Sequence, residues 1–205
     1  MLKIARIIAL VLAVVVLSVI SVGCGGQDRE DSQSGEAETR QPAMGEETMQ
    51  VEPTTGTGTD AGQRPPSFSL LDLAGNEVSL SDFAGKVVII DLWATWCPPC
   101  RVEIPFLVSL YEEYSDQGLA VLGIGLDRGG ADALAPFAEA NNVTYTILVG
   151  TEAVGRDYRV SNIPMTLMIG RDGRVASRHV GFDPSMQDEM RARVIELLSQ
   201  PAPEA

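Results

Sequence analysis

The sequence is poor in the two residue types that most often build disulfide frameworks and metal sites. Among its 205 residues there are three cysteines and one histidine. A small secreted domain stapled by disulfides has a denser cysteine framework than this. The fold must therefore be held by its own hydrophobic core, and hydrophobic residues make up 45% of the sequence.

Positive charge is also scarce. Lysine and arginine number 15 against 28 aspartates and glutamates, which gives a formal net charge of −13. Proteins that bind nucleic acids neutralise phosphates with clustered lysines and arginines. The composition therefore disfavours nucleic acid as a partner.

A long uncharged hydrophobic run is found at the N-terminus. Residues 1–6 include Lys3 and Arg6, and residues 7–20 contain no charged side chain. This is the arrangement of a secretory signal, and the run is short for a membrane-spanning helix, which needs about 20 apolar residues. We therefore expect the rest of the chain to be exported.

Residues 1–24 are predicted to form a signal and anchor segment. Its end, SVGC, resembles bacterial lipoprotein processing sites, in which the cysteine, here Cys24, is lipidated and becomes the new N-terminus. The alternative is an uncleaved anchor that ends in an ordinary cysteine, and both place the chain at a membrane. Residues 25–64 are acidic and contain almost no large apolar side chain, so we expect a disordered tether.

The most informative motif is a pair of cysteines, Cys97 and Cys100, separated by Pro98 and Pro99. The pair follows a strand-like apolar run and opens a segment with helical periodicity. A thiolate at a helix N-terminus is stabilised by unpaired backbone N–H groups and by the helix dipole. The motif therefore predicts disulfide exchange, in which Cys97 at the exposed start of the helix attacks a target and the more buried Cys100 resolves the mixed disulfide.

Two other uses of this spacing are a structural disulfide and a zinc site. A zinc site needs four ligands, and this sequence offers Cys97 and Cys100 no second pair of cysteines or histidines, because His179 is the only histidine. We assign His179 no role.

The prolines between the cysteines carry no N–H, so few backbone donors can reach the thiolate. We therefore expect a less depressed thiolate pKa and a more reducing couple than in strongly oxidising relatives.

Hydrophobic periodicity and turn residues predict one domain of alternating strands and helices over residues 65–200, followed by a disordered tail over residues 201–205. This alternation implies crossover connections and a parallel core. The predicted strands cover residues 68–72, 77–80, 87–93, 119–126, 144–149, 165–169 and 174–180. The predicted helices cover residues 98–114, 131–141, 152–158 and 186–198. In the first helix, the residues predicted to face the sheet are Val102, Phe106, Leu110 and Tyr114.

The motif and the order of elements resemble the thioredoxins, and more closely the membrane-anchored thioredoxin-like proteins of the TlpA and ResA type. The resemblance implies an α/β, thioredoxin-like fold: a central mixed β-sheet flanked by helices, with an added N-terminal β-hairpin. It also implies a monomeric protein-disulfide oxidoreductase that needs no cofactor. Such a protein takes electrons from a membrane thiol reductase and reduces client protein disulfides outside the cytoplasm, for example the haem-binding cysteines of apocytochrome c.

Two acidic residues match catalytic positions of these families. Asp91, six residues before Cys97, matches the buried carboxylate of thioredoxin, which accepts the proton of the resolving thiol through water. Glu103 matches the glutamate beside the cysteine pair of ResA-like proteins, where its charge raises the thiol pKa. Each has a structural alternative: a hydrogen-bonded strand-end aspartate and a solvated helix-face glutamate. The sequence does not decide which carboxylate moves the proton.

A second loop is expected to complete the site. Ile163-Pro164 resembles the segment of thioredoxin that contains a cis-proline and packs against the cysteines, with the residue before proline pairing with the substrate backbone. Met165 follows and is expected at the rim of the substrate groove. The predicted substrate-binding residues are Trp96, Pro98, Ile163, Pro164 and Met165.

Two alternative functions share parts of this pattern. A peroxiredoxin-like peroxide reductase has a similar front half, but it needs Thr or Ser three residues before its cysteine and Pro four residues earlier, where this chain has Ala94 and Ile90. A copper-binding thioredoxin-like chaperone uses more widely spaced cysteines and a distant histidine. The two-proline spacer does not fit that arrangement.

Overall fold

The computed structural model describes residues 58–202. The predicted anchor with Cys24, the tether as far as residue 57 and the tail residues 203–205 lie outside the described residues. Within residues 58–202, none of the helices combines the length and the apolar character needed to cross a bilayer.

Every strand and helix predicted for the domain is present, with ends that differ by no more than two residues. The strands are β1 Ser69–Leu71, β2 Glu77–Ser79, β3 Val87–Trp93, β4 Leu119–Gly125, β5 Thr146–Val149, β6 Met165–Ile169 and β7 Val175–Val180. The helices are α1 Pro98–Tyr114, α2 Ala131–Ala140, α3 Glu152–Asp157 and α4 Gln187–Ser199. The fold is thioredoxin-like, as the sequence predicts.

The central sheet has the strand order β5-β4-β3-β6-β7. Strands β3, β4 and β5 are parallel, whereas β6 runs antiparallel to β3, and β7 runs antiparallel to β6. Trp93 at the end of β3 pairs with Gly125 at the end of β4, and Leu92 pairs with Met165 at the start of β6. The loop after β3 and the loop before β6 therefore meet at one edge of the sheet, where ligands bind in open α/β sheets.

The two faces of the sheet carry separate cores, because successive strand residues point to opposite sides. On the face that we call the helical face, Val87, Ile89 and Trp93 pack with buried residues of α1, α2 and α4. On the hairpin face, Val88, Ile90 and Leu92 pack with residues of β1, β6 and α3. All seven residues of β3 are buried, so this strand is the rigid base of the site.

The buried side of α1 differs from the predicted one. Val102 is 49% exposed, so its predicted contact with the sheet is wrong, although Phe106, Leu110 and Tyr114 are buried. Each four-residue step along an α-helix turns about 40° beyond a full revolution, so a row at this spacing winds around the helix. At the N-terminal end the buried positions are Cys100, Glu103 and Ile104.

The structured region begins before Pro65. The Gly62 N–H donates to the Val175 carbonyl at 2.8 Å, and the Val175 N–H donates to the Gln63 carbonyl at 2.9 Å. The Arg174 guanidinium also donates to the Gly62 carbonyl. Residues 62 and 63 thus pair with the start of β7, and a boundary at residue 65 would break these hydrogen bonds.

Candidate active site

The two cysteines of the motif form a disulfide at the start of α1. Their sulfurs are 2.04 Å apart and their Cα atoms 5.3 Å apart. Cys97 is the N-cap residue of α1, so the strand-to-helix junction positions the pair. Cys100 is fully buried and Cys97 is 3% exposed. The predicted order of burial is confirmed, but the exposed Cys97 is not found, because its side chain packs in the core of the helical face.

The prolines limit the donors to Cys97. Pro98 and Pro99 occupy the first two helical positions and have no N–H to offer. The next amide, that of Cys100, donates to Cys97 Sγ at 3.3 Å. A thiolate at Cys97 would therefore accept a hydrogen bond from this one amide of the first turn, which agrees with the few donors expected from the sequence.

Asp91 lies on β3 beneath α1 and is fully buried. Neither carboxyl oxygen has a hydrogen-bond partner among residues 58–202. Burial raises the pKa of Asp91 well above its usual range, and the nearby charge of Glu103 raises it further. A buried carboxylate without a partner is very unfavourable, so burial favours the protonated form of Asp91.

Glu103 lies on α1, one turn after Cys100, and is 1% exposed. The alternative of a solvated helix-face glutamate is therefore wrong. Thr166 Oγ1 donates to Glu103 Oε1 at 2.7 Å, whereas Oε2 has no partner in the part of the chain that the structure describes. Burial raises the pKa of Glu103 to about 7, and the hydrogen bond from Thr166 opposes that rise.

Two side chains that the sequence analysis did not identify complete this buried polar region. Thr166 is the register partner of Asp91 on β6, and the Tyr145 hydroxyl is buried without a partner among the described residues. Gly123, the β4 partner of Asp91, leaves room for the Trp93 and Tyr145 rings, because a Cβ at this position would lie 3.0 Å from each ring. We call Asp91, Glu103, Thr166 and Tyr145 the acid pocket.

The loop before β6 is placed as predicted. The Ile163–Pro164 peptide bond is cis. Ile163 is partly buried and packs on the core cluster that contains both cysteines. The Pro164 carbonyl accepts a hydrogen bond from the Gly181 N–H at 2.8 Å, which ties the loop to the end of β7.

Met165 does not line the substrate groove with its side chain. It is fully buried and belongs to the core of the hairpin face. The strand alternation that turns Thr166 toward α1 turns its neighbour Met165 to the opposite side. The Arg178 guanidinium donates to the Met165 sulfur at 3.1 Å on that strand pair. The predicted role of Met165 at the rim is therefore wrong.

Two apolar side chains next to Cys97 in the sequence are exposed. Trp96, the residue before Cys97, is 68% exposed, and Pro98 is exposed as well. Large exposed apolar side chains next to a reactive group are typical of surfaces that contact a partner. Trp96 and Pro98 are thus placed where a client chain could reach them.

A further residue that the sequence analysis missed holds the cysteine loop. Asp127, just after β4, accepts hydrogen bonds from the Thr95 N–H at 3.0 Å and from Thr95 Oγ1 at 2.6 Å. Asp127 is 9% exposed. Because Thr95 lies two residues before Cys97, this carboxylate sets the path of the loop into α1.

Replacing Asp127 with alanine should destabilise the protein by about 2 kcal/mol, since two hydrogen bonds to a charged acceptor are lost. Disulfide exchange should also slow, because the loop before Cys97 loses its support. Urea unfolding and the turnover of a model disulfide would measure the two effects. Asp127→Asn retains one acceptor and should lose about half as much stability. Unchanged unfolding of Asp127→Ala would show that the contact does not hold the loop.

A cysteine pair at this junction of a thioredoxin-like fold, beside a cis-proline loop, is the site of a thiol–disulfide oxidoreductase. A family model described as the AhpC/TSA family matches residues 61–178, and the chain belongs to that family.

Relatives and solved structures point to the same activity. The chain is 36% identical to the thioredoxin-like protein YneN of Bacillus subtilis over 126 residues, which are 60% of this chain and 74% of that protein. It is 35% identical to the thiol-disulfide oxidoreductase ResA of Geobacillus kaustophilus over 123 residues, 60% of this chain and 70% of the other. A structure assigned as the thiol:disulfide interchange protein DsbE of Chlorobium tepidum superposes with a TM-score of 0.65 and 30% identity, covering 69% of this chain and 100% of that one.

Proposed function

We propose that this protein is a membrane-tethered reductant of client protein disulfides outside the cytoplasm. The observation that carries the proposal is the Cys97–Cys100 disulfide at the N-terminus of α1, bordered by the exposed Trp96. Cys97 is the nucleophile, because it is the residue of the pair that retains some exposure, 3% against none for Cys100. Cys100, fully buried one turn later, is the resolving thiol.

The reaction proceeds in two exchanges. In the reduced protein, the Cys97 thiolate attacks one sulfur of a client disulfide, a mixed disulfide forms, and the other client sulfur leaves as a thiolate. The Cys100 sulfur then attacks Cys97 Sγ. The Cys97–Cys100 bond forms, the bond to the client breaks, and the client sulfur leaves with the electron pair. The client is reduced by two electrons and the cysteine pair is oxidised by two.

Cys100 must lose a proton in the second exchange, and the acid pocket supplies the acceptor. Glu103 lies one helical turn from Cys100, and Asp91 lies on the strand beneath them. Both carboxyls are buried. We assign the role of proton acceptor for Cys100 to this pair of carboxyls.

The client chain binds along the edge where the two loops meet. Trp96 and Pro98 offer apolar contact on one side of the disulfide. On the other side, the backbone of Ile163, before the cis-proline, pairs with the extended client segment. The net charge of −13 favours clients with basic segments near their cysteines.

The direction of electron flow follows from the chemistry around Cys97. With two prolines in the first turn, the thiolate receives few backbone donors, which favours the disulfide and makes the thiol pair a good reductant. A membrane thiol reductase then supplies the electrons, and apocytochrome c with its haem-binding cysteines is a suitable client. The N-terminal hydrophobic run, with Cys24 at its end, provides the tether.

The reduction potential tests this assignment. We expect a value near or below about −270 mV for the full-length chain in detergent micelles, equilibrated with dithiothreitol redox buffers. Cys24→Ser would be used so that only one thiol pair responds. A value near about −120 mV would make the protein a disulfide donor instead. Peroxide reduction faster than disulfide reduction would favour the peroxide-reductase alternative.

A further inference from the structure

We infer that Asp91 and Glu103 act as a divided pair, in which Asp91 keeps its proton and Glu103 is the base that receives the proton of Cys100, and that Thr166 is the positioning residue that divides them. The inference rests on the proposed function, since it concerns the step in which Cys100 resolves the mixed disulfide.

The division follows from the unequal surroundings of the two carboxyls. Thr166 Oγ1 donates to Glu103 Oε1 at 2.7 Å, and a donated hydrogen bond favours the ionised form. Asp91 has no donor among residues 58–202, although it is more deeply buried. Two adjacent carboxylates in a buried pocket do not both ionise, so the charge goes to the one with a donor.

The place of Thr166 in the sheet makes it the residue that touches both sides. It is the register partner of Asp91, and directly opposite residues of an antiparallel pair have Cβ atoms about 4.5–5.5 Å apart. Its hydroxyl nevertheless donates to Glu103 on α1 rather than to Asp91. The donor is therefore committed to Glu103, and its removal would reduce the difference in pKa between the two carboxyls.

The proton balance of the resolving step is then defined. The Cys100 thiol gives its proton to the Glu103 carboxylate as its sulfur attacks Cys97 Sγ. The new disulfide forms, and the client sulfur leaves as a thiolate. Asp91, already neutral, adds no second negative charge beside the reacting sulfur, which would oppose the formation of the Cys100 thiolate.

Two other titratable groups lie on or beside the strands that neighbour the acid pocket. Tyr145, before β5, has its pKa raised by burial and by both carboxylates, so it stays neutral. His179 on β7 is the register partner of Thr166, and burial lowers its pKa against the opposing effect of Glu189 on α4. The titration of His179 must therefore be distinguished from that of Glu103 in any measurement of pH dependence.

Stopped-flow reaction with DTNB, an aromatic disulfide, isolates the resolving step. Full-length protein carrying Cys24→Ser is reduced and mixed with DTNB in micelles, and the second release of aromatic thiol reports the attack of Cys100 on the mixed disulfide. In the wild-type site this rate should fall on the acid side of about pH 7, where Glu103 becomes protonated. Thr166→Val should move that fall upward by about one pH unit. Thr166→Ser, which retains the hydroxyl, should return the fall in rate to its wild-type pH.

Three further variants decide the assignment even if Thr166→Val does not fold. Glu103→Gln should abolish the acid-side fall and slow the second phase at all pH values. Asp91→Asn and His179→Gln should both retain the fall. The inference is overturned if Asp91→Asn or His179→Gln removes the fall, if Glu103→Gln retains it, or if Thr166→Val coincides with wild type. Failure of the proposed function looks different: the wild-type chain would show no second phase that depends on Cys100.

Discussion

Replacing Cys97 with serine should reduce disulfide exchange to the uncatalysed rate, whereas replacing Cys100 should stop the reaction halfway. Cys97 Sγ accepts a hydrogen bond from the Cys100 N–H at 3.3 Å, and Cys97 is 3% exposed whereas Cys100 is fully buried. Serine at position 97 cannot form a disulfide, so neither half of the reaction can start. Cys100→Ser leaves the nucleophile in place and removes only the thiol that releases the client.

The difference between these variants is measurable as a trapped product. Cys100→Ser, reduced and mixed with a disulfide-containing protein such as insulin, should accumulate a covalent complex on non-reducing gels, and dithiothreitol should release it. Cys97→Ser should form no such complex. Cys24→Ser, at the end of the N-terminal run, is the control and should react as wild type does. Equal trapping by the Cys97→Ser and Cys100→Ser variants would contradict the assigned order of attack.

The fold could be predicted closely because its signals are local. Val87–Trp93 is an apolar run long enough for a buried strand, and the prolines after Cys97 begin a helix where they lack only N–H groups that would be unpaired anyway. Glycine and charged residues then separate the remaining periodic segments. Such signals depend on neighbours a few residues apart, so tertiary contacts are not needed to read them.

The acid pocket could be predicted only in part. Asp91 and Glu103 match family positions and can be predicted from them, but the contact of Glu103 with Thr166 joins residues 63 apart in the chain. The Thr95–Asp127 contact joins residues 32 apart. Both depend on how strands pair, and a shift by one residue would exchange the two faces. The family position of Met165, directly after the cis-proline, predicts a place at the groove, but its neighbour Thr166 is the one that faces α1.

The acid pocket also explains why the sheet beneath α1 departs from a purely apolar pattern. Asp91 lies between Ile89 and Trp93 on the helical face, where an apolar side chain would pack better. Buried acids without partners destabilise a fold, and positions that break the local pattern are frequently functional. The destabilisation should be visible as a dependence of stability on pH.

Glutamate 103 should make the protein progressively less stable as the pH rises from about 4.5 to about 7. In that window the folded protein keeps the proton on Glu103, whereas the unfolded chain, with an ordinary glutamate pKa of 4.5, releases it. The unfolded state therefore binds fewer protons, and the free energy of unfolding falls with increasing pH. Above pH 7 the accumulated loss from this one residue is about 3 kcal/mol.

Glu103→Gln should remove this loss while it keeps the shape of the side chain and an oxygen that accepts from Thr166. At pH 8 its free energy of unfolding should exceed that of wild type by about 3 kcal/mol, and at pH 4 the two should be similar. Urea unfolding of the oxidised full-length protein, followed by tryptophan fluorescence, measures the difference, because disulfide-bonded cysteines do not titrate. Glu112→Gln, on the exposed side of the same helix, is the matched control and should follow the wild-type curve.

A Glu103→Gln curve parallel to wild type across this range would mean that Glu103 is ionised in the folded protein well below pH 7, and the raised pKa would be wrong. If the free energy of unfolding of Glu103→Gln equals that of wild type only at acid pH, the glutamate beside Cys100 lowers the stability of the folded protein at neutral pH.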